Sequence, residues 1–208
     1  MYIPAHFAVR DTAALHDVID NHAFGLLVSS AASGLIASHI PFLLDRARGE
    51  QGTLLCHLAA ANEQAAALDG AEVLCVFQGP HGYVSPRWYA KKPAVPTWNY
   101  IAVHAYGRVR LVRDAEGLYD MVDRLSKIYE PADGGWRLAD EPESFTASML
   151  RGIVGIEIPI ARLEGKFKLS QNRPTDIALV IEALRAEGGA ENERLAAAME
   201  RAAPAAKR

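Results

Sequence analysis

Gly79-Pro80-His81-Gly82-Tyr83-Val84-Ser85-Pro86-Arg87-Trp88-Tyr89 leads through Ala90-Lys91-Lys92-Pro93-Ala94-Val95-Pro96 into Thr97-Trp98-Asn99-Tyr100 and on to Gly107. Four prolines and two glycines before Thr97 predict a long loop over Gly79–Pro96. Tyr83, Trp88 and Tyr89 lie within it, where a solvated linker would be polar. Two readings stand: a binding loop, or an aromatic flap closing over the protein's own core. From Thr97 the pattern alternates. Ile101, Val103, Ala105, Val109 and Leu111 fall on one parity; Trp98, Tyr100, His104, Tyr106, Arg108 and Arg110 fall on the other. A strand sends alternate side chains to opposite faces, so this is a long strand with one core face. Its other face of rings and cations suits a planar ligand, an anion or a partner surface; the alternative is a solvated face with cross-strand aromatic pairs.

Working outward, strand-like segments are expected at Phe24–Ser29, Leu35–Leu44, Thr53–Leu58 and Ala71–Phe77, with Ser33-Gly34 as a turn. A helix capped by Asp11 or Thr12 precedes them, with Leu15, Val18 and Ile19 inward. A short helix is expected over Ala59–Leu68. Helical spacing marks Asp114–Tyr129, and Pro142–Arg151 reads as a short helix with Phe145 and Leu150 inward. A strand follows at Ile153–Ile160, then a turn at Glu164-Gly165 and a sheet extension over Lys166–Leu169. Pro174 is placed to start a helix, and Gly188-Gly189 separates it from a last one over Glu191–Arg201. Many short strands with few helices between them predict a mainly β, α+β fold. One domain over residues 1–201 and a frayed tail from Ala202 to Arg208 complete the expectation.

The 208 residues are half hydrophobic and 23% charged, with a net charge of −3, which argues against a direct DNA-binding role. Cys56 and Cys75 lie in apolar runs and read as buried free thiols. Met1–Phe7 has neither the basic start nor the apolar segment of a signal peptide, and no apolar run reaches membrane-span length. A cytoplasmic location is the resulting expectation.

The blocks Gly79-Pro80-His81, Tyr83-Val84-Ser85-Pro86, Trp88-Tyr89, Lys92 and Val95-Pro96-Thr97-Trp98-Asn99-Tyr100 resemble the signature of the PaiB-type proteins. Further matches run from Met1-Tyr2-Ile3-Pro4 to Lys166-Phe167-Lys168-Leu169-Ser170-Gln171-Asn172-Arg173. The resemblance implies an antiparallel split β-barrel of FMN-binding type with peripheral helices and a C-terminal helical segment. It also implies a negatively acting transcriptional regulator, with FMN held at the interface of a homodimer. His39, His57, Asn62, Ser85, Trp88, Tyr89, Lys92, Trp98, Asn99, Tyr100, Lys168, Gln171, Asn172 and Arg173 are its candidate cofactor residues. In Cys56-His57-Leu58-Ala59-Ala60-Ala61-Asn62, Ala60 stands where the family block carries an arginine, which removes one candidate phosphate donor.

Ser170-Gln171-Asn172-Arg173 precedes a predicted helix start, where backbone amides, Lys168 and Arg173 suit an anion; ordinary capping by Asn172 is the alternative. His39, His57, His81 and His104 lack the spacing of a zinc motif, so no metal is expected. No nucleophile elbow, Walker loop or dinucleotide fingerprint occurs. A flavin would carry redox chemistry without one, which leaves open a flavin-dependent oxidoreductase of the pyridoxamine-phosphate-oxidase or flavin-reductase type.

Overall fold

The computed structural model describes residues 1–32 and 34–202. The expected turn at Ser33 and the tail beyond Ala202 lie outside the described residues. In chain order the elements are β1 (Ala8–Val9), α1 (Thr12–Asn21), β2 (Phe24–Ala31), β3 (Gly34–Pro41), β4 (Leu43–Asp45), β5 (Thr53–Ala59), β6 (Glu72–Val84), β7 (Thr97–Arg108), β8 (Arg110–Val112), α2 (Ala115–Tyr129), α3 (Glu143–Leu150), β9 (Ile153–Lys168), α4 (Ile177–Glu187) and α5 (Ala190–Ala202). Hydrogen-bonded neighbours follow the order β3-β2-β6-β7-β9-β5-β4, with β1 and β8 also pairing with β9. The fold is α+β. Every pair whose register is resolved is antiparallel.

The chain divides into two compact units. One comprises Met1–Val18, Gln78–Val103 and the chain from Glu164 onward; the other comprises Ile19–Phe77 and His104–Leu163. In the first, Asp11 caps α1 by accepting from the Ala13 N–H at 3.0 Å. Leu15 and Val18 turn inward as their spacing requires. Gly188 and Gly189, at φ of 74° and 90°, end α4 and turn the chain into α5, which packs against it. Leu184, Leu195 and Met199 are buried there.

Two expectations fail in this unit, both for reasons of close approach. The proposed loop at Gly79–Val84 is the second half of β6. A Cβ on Gly82 would lie 2.9 Å from Leu195 Cδ2, and the His81 N–H donates to Glu191 Oε1 at 3.0 Å. α5 thus covers this stretch and satisfies its backbone where Pro80 offers no donor. The loop proper begins after Val84, with a 3-10 turn at Pro86–Trp88. The proposed turn at Glu164-Gly165 is likewise absent, because β9 runs unbroken to Lys168. Gly165 pairs with Val9, and Leu15 Cδ2 occupies the place of its missing Cβ, 2.1 Å from where that atom would be. The glycine admits α1 rather than bending the strand.

In the second unit the alternation of β9 buries Val154, Ile156, Ile158 and Ile160 as read. Cys56 and Cys75 are buried free thiols, and burial pushes both pKa values up. Phe42 and Phe77 meet edge to face with centroids 5.2 Å apart. The helix expected over Ala59–Leu68 is only a 3-10 turn at Glu63–Ala67. Its Gln64 is fully buried; Gln64 Nε2 donates to Leu27 O at 3.2 Å, Ser29 Oγ at 2.9 Å and Ile36 O at 3.3 Å. Those bonds tie the turn to β2 and β3 and hold the chain out of a longer helix. Phe145, expected inward, is 49% exposed, while Thr146 and Leu150 face in. No described helix is long and apolar enough to cross a membrane.

Candidate functional site

β7 keeps its period of two, so Asn99, Ile101 and Val103 are buried while Trp98 remains 53% exposed. Asn99 therefore faces away from Trp98 and Tyr100. On its side, the first unit opens a cleft of about 180 Å³ lined by Tyr89, Val95, Pro96, Thr97, Asn99, Lys168, Ser170, Asn172 and Arg173. Asn99 Nδ2 donates to Ser170 Oγ at 2.8 Å and lies 3.4 Å from Met199 Sδ, but among the described residues its buried Oδ1 has no hydrogen-bond partner. An orphaned buried acceptor costs free energy until a donor reaches it. Ser170, with φ of 67°, carries the one left-handed non-glycine backbone among the described residues, a local strain at the cleft wall.

Two cations meet this cleft. Arg173 lies over the Tyr89 ring, its Cζ 4.4 Å from the centroid, and pairs with Asp176 at 3.5 Å. Asp176 is buried and also accepts from the Ala90 N–H at 3.0 Å, fixing the loop beneath the guanidinium. Lys168 Nζ donates to Thr97 Oγ1 and to Trp98 O. Burial, with the neighbouring Lys166 charge second, holds its pKa below the ordinary lysine value. Burial likewise raises the Tyr89 pKa, against the opposing pull of Arg173. The helix expected to start at Pro174 begins instead at Ile177, because Arg173 N bonds Ser170 O and Asp176 N bonds Arg173 O in successive turns.

The other candidates divide between the units. Gln171 is closed on its own backbone, accepting from Leu169 N at 2.7 Å and donating to Phe167 O at 2.5 Å. Ser85 caps the 3-10 turn by accepting from the Arg87 N–H at 3.2 Å, and half-buried Trp88 ends that turn. Lys92 is exposed and donates to Pro86 O. Trp98 lies beside Tyr83 and His81 at centroid distances of 6.4 and 5.9 Å, and Lys166 Nζ sits 5.2 Å from the half-buried Tyr100 ring. His39, His57 and Asn62 belong to the second unit. His39 stacks on Phe24, with centroids 6.2 Å apart. Asn62 accepts from Gln64 N at 2.9 Å and lies 3.4 Å from Ser38 Oγ. His57 presents a buried Nδ1 with no hydrogen-bond partner among the described residues, and burial lowers its pKa. Among the described residues no group of three or more His, Cys, Asp or Glu side chains gathers as a metal site.

Ser170, Asp176 and Thr97 were absent from the sequence-derived set. The hydrophilic run before α4 marked the neighbourhood of Ser170 and Asp176, and the Val95–Tyr100 block that of Thr97, but neither a left-handed serine nor a buried aspartate has a sequence signature.

The cleft's donor set matches the ribityl phosphate of FMN. Lys168 and Arg173 suit the anion, and Asn99 Oδ1 needs a proton such as a ribityl hydroxyl carries. Its volume falls short of the roughly 300–1,000 Å³ of sites that enclose a whole small molecule, so it would hold at most part of such a cofactor.

Comparison with known proteins bears on the same cofactor. The family described as "Putative FMN-binding domain" matches residues 1–162. Protease synthase and sporulation protein PAI 2 of Bacillus subtilis is 33% identical over 202 residues, covering 96% of this chain and 97% of that protein. Among solved structures, the flavocytochrome Anf3 from Azotobacter vinelandii superposes with a TM-score of 0.63 at 14% identity, covering 80% of this chain and 72% of that one. The FAD and heme binding protein from Mycobacterium smegmatis gives 0.62 at 18% identity, covering 82% and 78%. These two share the fold. With a family model spanning most of its length and a full-length relative, the chain belongs to the PaiB-type FMN-binding family of split-barrel proteins.

Proposed function

We propose that this protein binds FMN, with its phosphate and ribityl chain in the Lys168–Arg173 cleft, and acts as a flavin-responsive negative regulator of transcription. The observation that carries the cofactor reading is the buried, partnerless Asn99 Oδ1 beside two cations in a chain of this family. Bound flavin supplies reversible redox chemistry. The chain's own residues would hold the phosphate (Lys168, Arg173), accept a hydrogen bond from a ribityl hydroxyl (Asn99 Oδ1) and seat the guanidinium (Tyr89, Asp176).

Because Trp98 and Tyr100 lie on the face of β7 away from the cleft, one protomer does not offer both walls to one flavin. A homodimer resolves this, the partner's surface meeting the ring. The regulator role draws support from the PaiB-type family and none from electrostatics. α5 and the residues after it, Glu191–Arg208, carry three acidic and four basic residues, too balanced for a recognition helix. Control through a partner protein fits that balance better than direct DNA contact.

The test is an FMN titration by fluorescence quenching, with a visible spectrum of freshly purified protein. Arg173→Ala should weaken FMN roughly tenfold or more. Unchanged affinity removes the phosphate assignment. Steady consumption of reduced nicotinamide by the pure protein would favour the oxidoreductase reading instead.

A further inference from the structure

The second unit holds a cavity of about 440 Å³ formed by α2, α3 and the 3-10 turn at Leu138–Asp140. Helical spacing puts Glu143, Thr146 and Leu150 on one face of α3, and all three line it. Buried Leu138 and Leu150 give it apolar walls, and α2 adds the half-buried ring of Tyr119. Its charged lining is Glu116, Glu141 and Glu143, with no lysine, arginine or histidine among the described residues.

Those charges have no counter-ion nearby. From Ala115, where α2 begins, to Leu150, where α3 ends, the chain carries eight acidic and three basic residues. All three bases are engaged: Arg124 pairs with Asp45 at 2.8 Å, Lys127 pairs with Asp123 at 2.5 Å, and Arg137 donates to Trp136 O and Pro131 O, each at 3.0 Å. Glu141 Oε1 accepts from the neutral Trp136 Nε1 at 2.7 Å, whereas Glu116 and Glu143 have no ion pair among the described residues. A second observation comes from the cavity wall. Thr146 is 6% exposed, and its buried Oγ1 has no hydrogen-bond partner among the described residues. Such a group is costly until a ligand atom meets it. The carboxylates do not gather tightly enough for a metal ion, so the cation that fits them is an organic one with an apolar body.

We propose that this cavity binds a small aromatic amine with a hydroxyl at its far end. The ammonium answers Glu116 and Glu143, the ring packs on Tyr119, Leu138 and Leu150, and the hydroxyl bonds Thr146 Oγ1. The volume lies within the range of small-molecule sites. No residue of the Lys168–Arg173 cleft lines this cavity, so amine binding does not depend on bound flavin.

Calorimetric titration of the full chain with tyramine, phenethylamine and phenethyl alcohol tests it. Tyramine should saturate the site, phenethylamine should bind more weakly, phenethyl alcohol should not bind, and added salt should weaken both amines. Glu116→Gln combined with Glu143→Gln should weaken both amines about tenfold or more. Thr146→Val, which keeps the shape and removes the orphaned oxygen, should bring tyramine down to the affinity of phenethylamine while Tm holds or rises. FMN affinity should be unchanged in every variant. The proposal is overturned if tyramine does not saturate, if phenethyl alcohol binds as well as phenethylamine, or if the double glutamine variant binds amines like the wild type. It is also overturned if Thr146→Val leaves tyramine affinity unchanged or lowers both amines alike.

Discussion

Lys168 is held where its charge is least favoured. Burial and the Lys166 ammonium both lower its pKa, so it discharges before the ordinary lysine value of about 10.4. Only the protonated amine attracts a phosphate. FMN affinity should therefore be constant at neutral pH and fall as pH rises through this lowered pKa, whereas Lys168→Gln should bind more weakly and lose that alkaline limb. Titrations at stepped pH check both. The apo protein should respond in the opposite sense: a lysine pKa depressed on folding means the unfolded chain binds more protons, so stability gains as pH climbs through the same window. His57 obeys the same rule at acid pH, since burial lowers its pKa below about 6.5. Stability should fall as pH drops past that value, and His57→Gln should flatten the slope of thermal midpoint between pH 7.5 and pH 5. An unchanged slope would place the acid response elsewhere.

At the scale of elements, the glycines of the long strands set the packing. At Gly107 a side chain would meet backbone rather than a flexible side-chain end, with Pro159 O 2.3 Å and Ile158 Cγ2 2.7 Å from the new Cβ. Gly107→Ala should cost about 2–3 kcal/mol, read as a lower urea midpoint. The sequence pattern was sufficient for β7, α2 and the first part of β9, where each residue's face follows from the period alone. It was insufficient where a distant element intervened. Gly79–Val84 looks like a loop until α5 covers it, and Gly165 looks like a turn until Leu15 fills its missing Cβ. The site was legible to a similar depth. Asn99, Lys168 and Arg173 came from their blocks, and the period of β7 turns Asn99 away from Trp98 and Tyr100, but no pattern within the chain shows that Asn99 meets Ser170, or that Gln171 is spent on the backbone of Phe167 and Leu169.

At the scale of the whole molecule, the exposed faces of Trp98, Tyr83 and Tyr2 leave more aromatic surface open than a chain acting alone needs. Sedimentation velocity at micromolar concentration should show a dimer, and Trp98→Asp should shift it toward monomer. A wild-type monomer at that concentration would remove the shared-flavin arrangement. The net charge of −3 gives promoter DNA no electrostatic pull, so a gel shift with the protein alone should be weak and a partner should be needed.

The first unit is assembled from three separated stretches of chain, and this sets the timing of the cleft during synthesis. Ser170 follows Asn99 by 71 residues, and Met199 follows it by 100. At roughly 5–20 residues per second, the ribosome exposes Asn99 about four to fourteen seconds before the serine that will hold it. During that interval the newly made β7 lacks its neighbour β9. Its backbone edge is open to water, chaperones and other nascent chains. The cleft proposed for the flavin phosphate is thus complete only after Arg173 has left the exit tunnel, well after Asn99.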